Sequence, residues 1–193
     1  AELEALLTDS SAHQGIAHTR WATHGIPSVG NAHPHQSGRF AVVHNGIIEN
    51  FEALKAELIA QDYVFESDTD TETIAHLLHF VSLSTDSFDA IVQTVIRRLE
   101  GAFALAILDE HTPGVIWVAR QGSPLVIGVG HGEHFVGSDQ LALLHVTDRF
   151  IYLEEGDTAR LTAKTLEIFN ADGEAVTRAV VRASASSEQV SKG

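Results

Sequence analysis

The chain has 193 residues, 44% of them hydrophobic, which suits one domain with one substantial core better than two. Twelve basic against 26 acidic residues leave a formal charge of -14; such a surface repels phosphate backbones and anionic lipid, so neither nucleic acid nor a membrane is an expected partner. Cysteine is absent, which excludes disulfides, thiolate metal sites and a thiol nucleophile within these residues.

Methionine is absent as well, and this points to a piece of a longer protein. No apolar run is long enough to cross a bilayer, and residues 1–11 lack the basic start and apolar centre of a secretory signal. The expected setting is cytoplasmic.

In chain order, residues 1–14 carry a short helical pattern (Leu3, Leu6, Leu7), and residues 15–18 read as a strand. Residues 19–36 have loop chemistry, with prolines, glycines and histidines at no helical period; long ordered loops usually serve a site. Residues 40–44 are expected to form a buried strand ending at Asn45-Gly46. Asn50 then caps a helix with Phe51, Leu54, Leu58 and Ile59 on one face. A second helix is predicted from Thr69, with Glu72 at capping-box distance, and a third over residues 87–99. Beyond Gly101 the pattern predicts strands at 102–108, 115–119, 125–129, 134–137, 150–153, 158–161 and 166–169. Helices gathered early and strands gathered late predict an α+β fold with helices on the outer faces of sheets. Residues 1–182 form the expected domain, and the Ser/Ala-rich residues 183–193 read as a linker.

Each candidate for chemistry is ordinary when taken alone. Asn45-Gly46 after an apolar run is a hairpin-turn signal, and Asp70 suits the first turn of a helix. Asp68 and Asp70 form a D-x-D pair too short to imply a metal. The six histidines from His13 to His44, including His33-Pro34-His35, lack a partner cluster at metal-ligand spacing, and no metal is expected. Arg20 beside Trp21 has the composition of a surface cation on an indole.

Their joint order carries more. The strings His18-Thr19-Arg20-Trp21-Ala22-Thr23-His24-Gly25, Asn31-Ala32-His33-Pro34-His35, Val43-His44-Asn45-Gly46-Ile47-Ile48-Glu49-Asn50 and Ser67-Asp68-Thr69-Asp70-Thr71-Glu72 resemble the glutaminase domain of the class II glutamine amidotransferases that make glucosamine 6-phosphate. The resemblance continues through Gly122-Ser123-Pro124-Leu125-Val126-Ile127-Gly128, Gly137-Ser138-Asp139-Gln140-Leu141-Ala142-Leu143 and Leu153-Glu154-Glu155-Gly156-Asp157, nearly the whole chain.

The resemblance implies a four-layer αββα sandwich of the N-terminal nucleophile hydrolase type and no cofactor. It implies that L-glutamine is the substrate. Asn45 and Gly46 would then form the oxyanion hole, Arg20 would clamp the substrate carboxylate with help from Thr23 and His24, Asp70 would hold the α-ammonium, and Trp21 would stand where ammonia leaves. It also implies a sugar-isomerase domain in the same parent chain and a homo-oligomeric parent. The family's N-terminal cysteine and first strand have no counterpart in these residues, so the piece by itself is expected to be inactive, and poorly stable or self-associating. Two rivals remain: a non-catalytic glutamine-binding module, and a metal-dependent hydrolase built on the histidine-rich loops.

Overall fold

The structure is a computed structural model that describes residues 13–19, 26 and 28–183. Of the helical pattern expected at residues 1–14, residues 1–12 lie outside the described residues, and of the linker expected at 183–193 only Ala183 is described, its N–H bonded to the Asp148 carbonyl at 2.9 Å. The strand expected at 15–18 does not form: residues 13–19 have no regular structure.

A short hairpin joins β1 (His35–Ser37) to β2 (Phe40–Ile48). Three helices follow, α1 (Phe51–Ile59), α2 (Asp70–Ser82) and α3 (Phe88–Ile96). The chain then returns as β3 (Gly101–Asp109), paired antiparallel with β2 over its whole length from Phe40↔Asp109 to Ile48↔Gly101. After it come β4 (Ile116–Gln121), β5 (Val126–Val129), β6 (His134–Gly137), a 3₁₀ turn (Gln140–Ala142), β7 (Arg149–Tyr152), β8 (Thr158–Leu161), β9 (Leu166–Phe169), β10 (Ala175–Val176) and β11 (Val180–Arg182). Among the described residues these strands make a seven-stranded sheet, β1-β2-β3-β4-β8-β9-β10, and a four-stranded one, β11-β7-β5-β6, with antiparallel pairing throughout.

The side-chain alternation of β3 explains the layering. Phe103, Leu105 and Ile107 join the helices in one core, while Ala104 and Ala106 face the second sheet in another, with Val118, Ile127, Ile151 and Ala159. Strand periodicity sends successive residues to opposite faces, and the small alanines let the second sheet approach closely. Leu105 and Ile107 are fully buried, each contributing roughly 1.5–3 kcal/mol of apolar transfer. The layers are therefore helix, sheet and sheet, with the 3₁₀ turn leading Leu143 onto Val126 and Phe150 across the outer face of the smaller sheet.

Two local expectations are corrected. Asn45-Gly46 is not a hairpin turn: β2 runs through it to Ile48, because nine facing positions on β3 hold the ladder open past the glycine. Asn50 occupies the position before α1, but its side chain makes no cap bond. It donates instead to the Arg98 carbonyl at 2.9 Å and accepts from the Glu100 N–H at 3.1 Å, tying the entry of β3 to the exit of β2. This distinction is measurable, since aspartate caps as well as asparagine but cannot donate to the Arg98 carbonyl. Asn50→Asp is expected to lose about 0.5–1.5 kcal/mol in chemical denaturation, where a pure capping role would leave stability unchanged.

Candidate functional site

The exit of β2 brings together three of the residues that the sequence motifs single out, Asn45, Gly46 and Asp70. Gly46 has φ +133°, and a Cβ built on it would lie 2.0 Å from the Ala102 carbonyl oxygen and 2.9 Å from the Ser123 hydroxyl. Only glycine fits there, for conformation and for space alike. Across the ladder Gly101 has φ +118°, and a Cβ on it would meet the Ile47 carbonyl at 2.3 Å. Two facing strands thus approach here closer than side chains allow, which is how β2 passes through an unusual backbone conformation without leaving the sheet.

Asn45, beside this glycine, is half-buried. Its Oδ1 lies 2.5 Å from the Nε2 of His18, and the His18 ring rests on that of His33 with centroids 4.5 Å apart. His33 Nε2 hydrogen-bonds the Thr71 hydroxyl at 3.0 Å, and His44 Nδ1 reaches the same hydroxyl at 3.1 Å. His35 Nε2 bonds the Thr69 hydroxyl at 2.8 Å, and His76 Nδ1 bonds Ser37 at 2.8 Å. His33, His35 and His44 are thus bonded to the Thr69 and Thr71 hydroxyls at the start of α2. Among the described residues, no group of three or more His, Asp or Glu is placed to hold a metal ion.

Asp70 opens α2 and is only 3% exposed. Its Oδ2 accepts from the Ile48 N–H at 2.8 Å and stands 3.9 Å from His44 Nδ1. The carboxylate that the sequence places in a helical first turn is therefore also bonded to the strand carrying Asn45 and Gly46. The other half of the D-x-D pair goes elsewhere: Asp68 exchanges bonds with the buried Asn31, whose Oδ1 accepts from the Asp68 N–H at 2.9 Å and whose Nδ2 donates to Asp68 Oδ2 at 3.3 Å. Arg20, Trp21, Thr23 and His24 lie outside the described residues.

The α2 start is held as half of the expected capping box. Thr69 accepts from the Glu72 N–H, but the Glu72 carboxylate turns to the Glu66 and Ser67 N–H groups at 2.7 Å each and to the Ser67 hydroxyl at 2.6 Å. Burial pushes the Glu72 carboxyl up; those hydrogen bonds and the neighbouring His76 outweigh it and hold it below the ordinary 4.5. Burial likewise holds His76 below 6.5, against the pull of the Glu72 carboxylate.

Both shifts make acid destabilising. The carboxyl contributes stability above its unfolded pKa and loses it as pH falls through the lower folded one, and the imidazole resists protons that the unfolded chain accepts. The unfolding temperature is expected to fall as pH drops below 6.5 and again below 4.5. His76→Asn should remove the first limb and Glu72→Gln the second.

Sequence reasoning quoted His18 and Thr71 inside motifs but assigned them no role. The signal for them is positional: one stands two residues before Arg20, the other beside Asp70.

Residues 18–145 match the family described as glutamine amidotransferase domain. The chain is similar to the glutamine–fructose-6-phosphate aminotransferase (isomerizing) of Photorhabdus laumondii, 59% identical over 164 residues, covering 85% of this chain and 27% of that protein. It is similar to the protein of the same name from Acinetobacter baylyi, 55% identical over 179 residues, covering 93% and 29%. The chain therefore spans less than a third of the length of these relatives.

Among solved structures, the glutamine phosphoribosylpyrophosphate amidotransferase of B. subtilis, complexed with ADP and GMP, superposes with a TM-score of 0.61 at 26% identity, covering 86% of this chain and 34% of that one. A glutamine aminotransferase class-II domain protein from Silicibacter pomeroyi superposes at 0.52 with 20% identity over 74% of this chain and 71% of that one, a likeness in fold alone. The fold is the α+β sandwich of the N-terminal nucleophile hydrolases, and with residues 18–145 matched the chain belongs to the glutamine amidotransferase domain family.

Proposed function

We propose that this chain is the glutamine-binding domain of a glutamine–fructose-6-phosphate aminotransferase, a cytoplasmic enzyme that transfers ammonia from L-glutamine to fructose 6-phosphate and yields glucosamine 6-phosphate and glutamate. The relatives that carry this name are 59% and 55% identical to it. The observation that carries the site is the exit of β2, where Asn45 and a sterically enforced Gly46 stand on a strand bonded to the buried carboxylate of Asp70.

In this reading the Asn45 side-chain N–H₂ and the Gly46 backbone N–H stabilise the oxyanion formed when the glutamine amide is attacked. Arg20 forks onto the substrate carboxylate beside Thr23 and His24, Asp70 attracts the α-ammonium, and Trp21 lines the exit of ammonia. Residues 1–182 form the amidotransferase domain, and 183–193 begin the linker to a sugar-isomerase domain of a homo-oligomeric parent. These 193 residues contain no cysteine, so in this reading the thiol nucleophile is supplied from outside them, and the 193-residue chain alone does not turn glutamine over.

The test is glutamate release by the full-length parent. Asp70→Asn keeps an acceptor for the Ile48 N–H but removes the charge. It is expected to raise KM for glutamine about 10–100-fold, the 1.4–3 kcal/mol of a charged hydrogen bond, with kcat nearly unchanged. Selectivity for glutamine over glutaramate, which lacks the α-ammonium, should fall with it. An unchanged KM would remove Asp70 from the substrate, and saturable glutamine binding without any glutamate release would favour a non-catalytic module.

A further inference from the structure

We infer that His18 is a positioning residue for the Asn45 amide. The inference rests on the reading of Asn45 as an oxyanion donor and adds a residue to it. An amide side chain has two ends, and only one of them stabilises an anion. With Nδ2 turned toward the substrate Asn45 donates; with the amide flipped, its oxygen faces the developing negative charge and repels it. Something must select between two rotamers of similar shape.

His18 supplies the selection. Its Nε2 stands 2.5 Å from Asn45 Oδ1. An amide oxygen only accepts, so the proton of this bond is on Nε2; in that tautomer a flipped amide would set N–H against N–H, and accepting it would require the ring proton to move to Nδ1. The imidazole is itself held: its ring rests on His33 at 4.5 Å with 38° between planes, and His33 is fixed through Nε2 to the Thr71 hydroxyl. Thr71 lies next to Asp70, in the first turn of α2. The orientation of the oxyanion donor and the placement of the carboxylate are thus built on the same helical turn. His18 touches no reacting atom in this scheme and acts through Asn45 alone.

The geometry also says which substitute serves. The amide nitrogen of glutamine reaches about as far from the backbone as histidine Nε2, whereas that of asparagine reaches only as far as Nδ1. A role in packing would not distinguish the two.

Steady-state glutamate release by the full-length parent tests this, with thermal unfolding of each variant as the control for folding. His18→Ala is expected to lower kcat about 10–100-fold, less than outright removal of an oxyanion donor, with KM for glutamine within about twofold, because uniform binding is untouched. His18→Gln should recover most of the loss and His18→Asn should not. An unchanged kcat in His18→Ala, equal rescue by Gln and Asn, or a rise in KM alone in an otherwise active parent would overturn the positioning role and leave the function standing. A wild-type parent that releases no glutamate would overturn both.

Discussion

Gly46→Ala is expected to abolish glutamine hydrolysis by the parent and to bring the domain close to unfolding. The new Cβ would lie 2.0 Å from the Ala102 carbonyl oxygen, at a residue whose φ is +133°. Backbone in that region strains a non-glycine residue by about 1–3 kcal/mol, and forcing a group into closed space adds about 1–3 kcal/mol. The obstruction is backbone of the neighbouring strand, not the end of a flexible side chain, so relief requires β2 and β3 to part. Parting them displaces the Gly46 N–H from the oxyanion position. Gly114→Ala is the control: it has φ +84° with nothing within 4 Å of its Cβ position, so it should show the strain without the clash. Soluble yield, thermal unfolding and glutamate release measured on both variants separate the two contributions. Equal behaviour of the pair would mean that the contact with Ala102 has no consequence.

Asn45→Ala is expected to lower kcat for glutamine hydrolysis about 10²–10³-fold, the range for loss of one oxyanion donor, with little change in KM. The residue is half-buried and its Oδ1 is taken by His18, so truncation leaves the His18 N–H short of one acceptor and lowers stability modestly. Asn45→Asp should be worse for catalysis and no worse for folding. The aspartate still accepts from His18, but it presents an oxygen where the amide donated and sets negative charge against the negative charge of the intermediate. A kcat that falls no further with aspartate than with alanine would show that the side chain does not face the reacting carbonyl.

Much of the architecture was legible because burial on a sheet face leaves a period of two in the sequence. The runs at 134–137, 158–161 and 166–169 coincide with β6, β8 and β9, and the cores of α2 and α3 follow from their apolar stripes. The short strands β1, β10 and β11 carried no such signal. Two or three residues cannot display a period, and β11 is exposed along its length; its pairing with β7 depends on a partner about 30 positions away. The strand expected at 15–18 failed for the converse reason, since Gly15-Ile16-Ala17-His18 has an apolar look but no pairing partner among the described strands.

The site divides in the same way. Residue identity, order and spacing pointed to the family, because Asn45-Gly46 and Asp70, each ordinary alone, stand within motifs that run in one order along nearly the whole chain. Local propensity pointed elsewhere: Asn-Gly is a good hairpin turn and Asn a good helix cap. The tertiary structure decided against both. Nine ladder positions on β3 outweigh one turn preference, and two backbone groups at Arg98 and Glu100 hold Asn50 in place of the helix end. Only the folded chain could bring His18 against Asn45, 27 residues apart, or bond Asp70 to the Ile48 N–H. A sequence specifies which groups are available; which of them meet is set by the packing of β2 between β3 and the start of α2, with the close approach of the two strands made at Gly46 and Gly101.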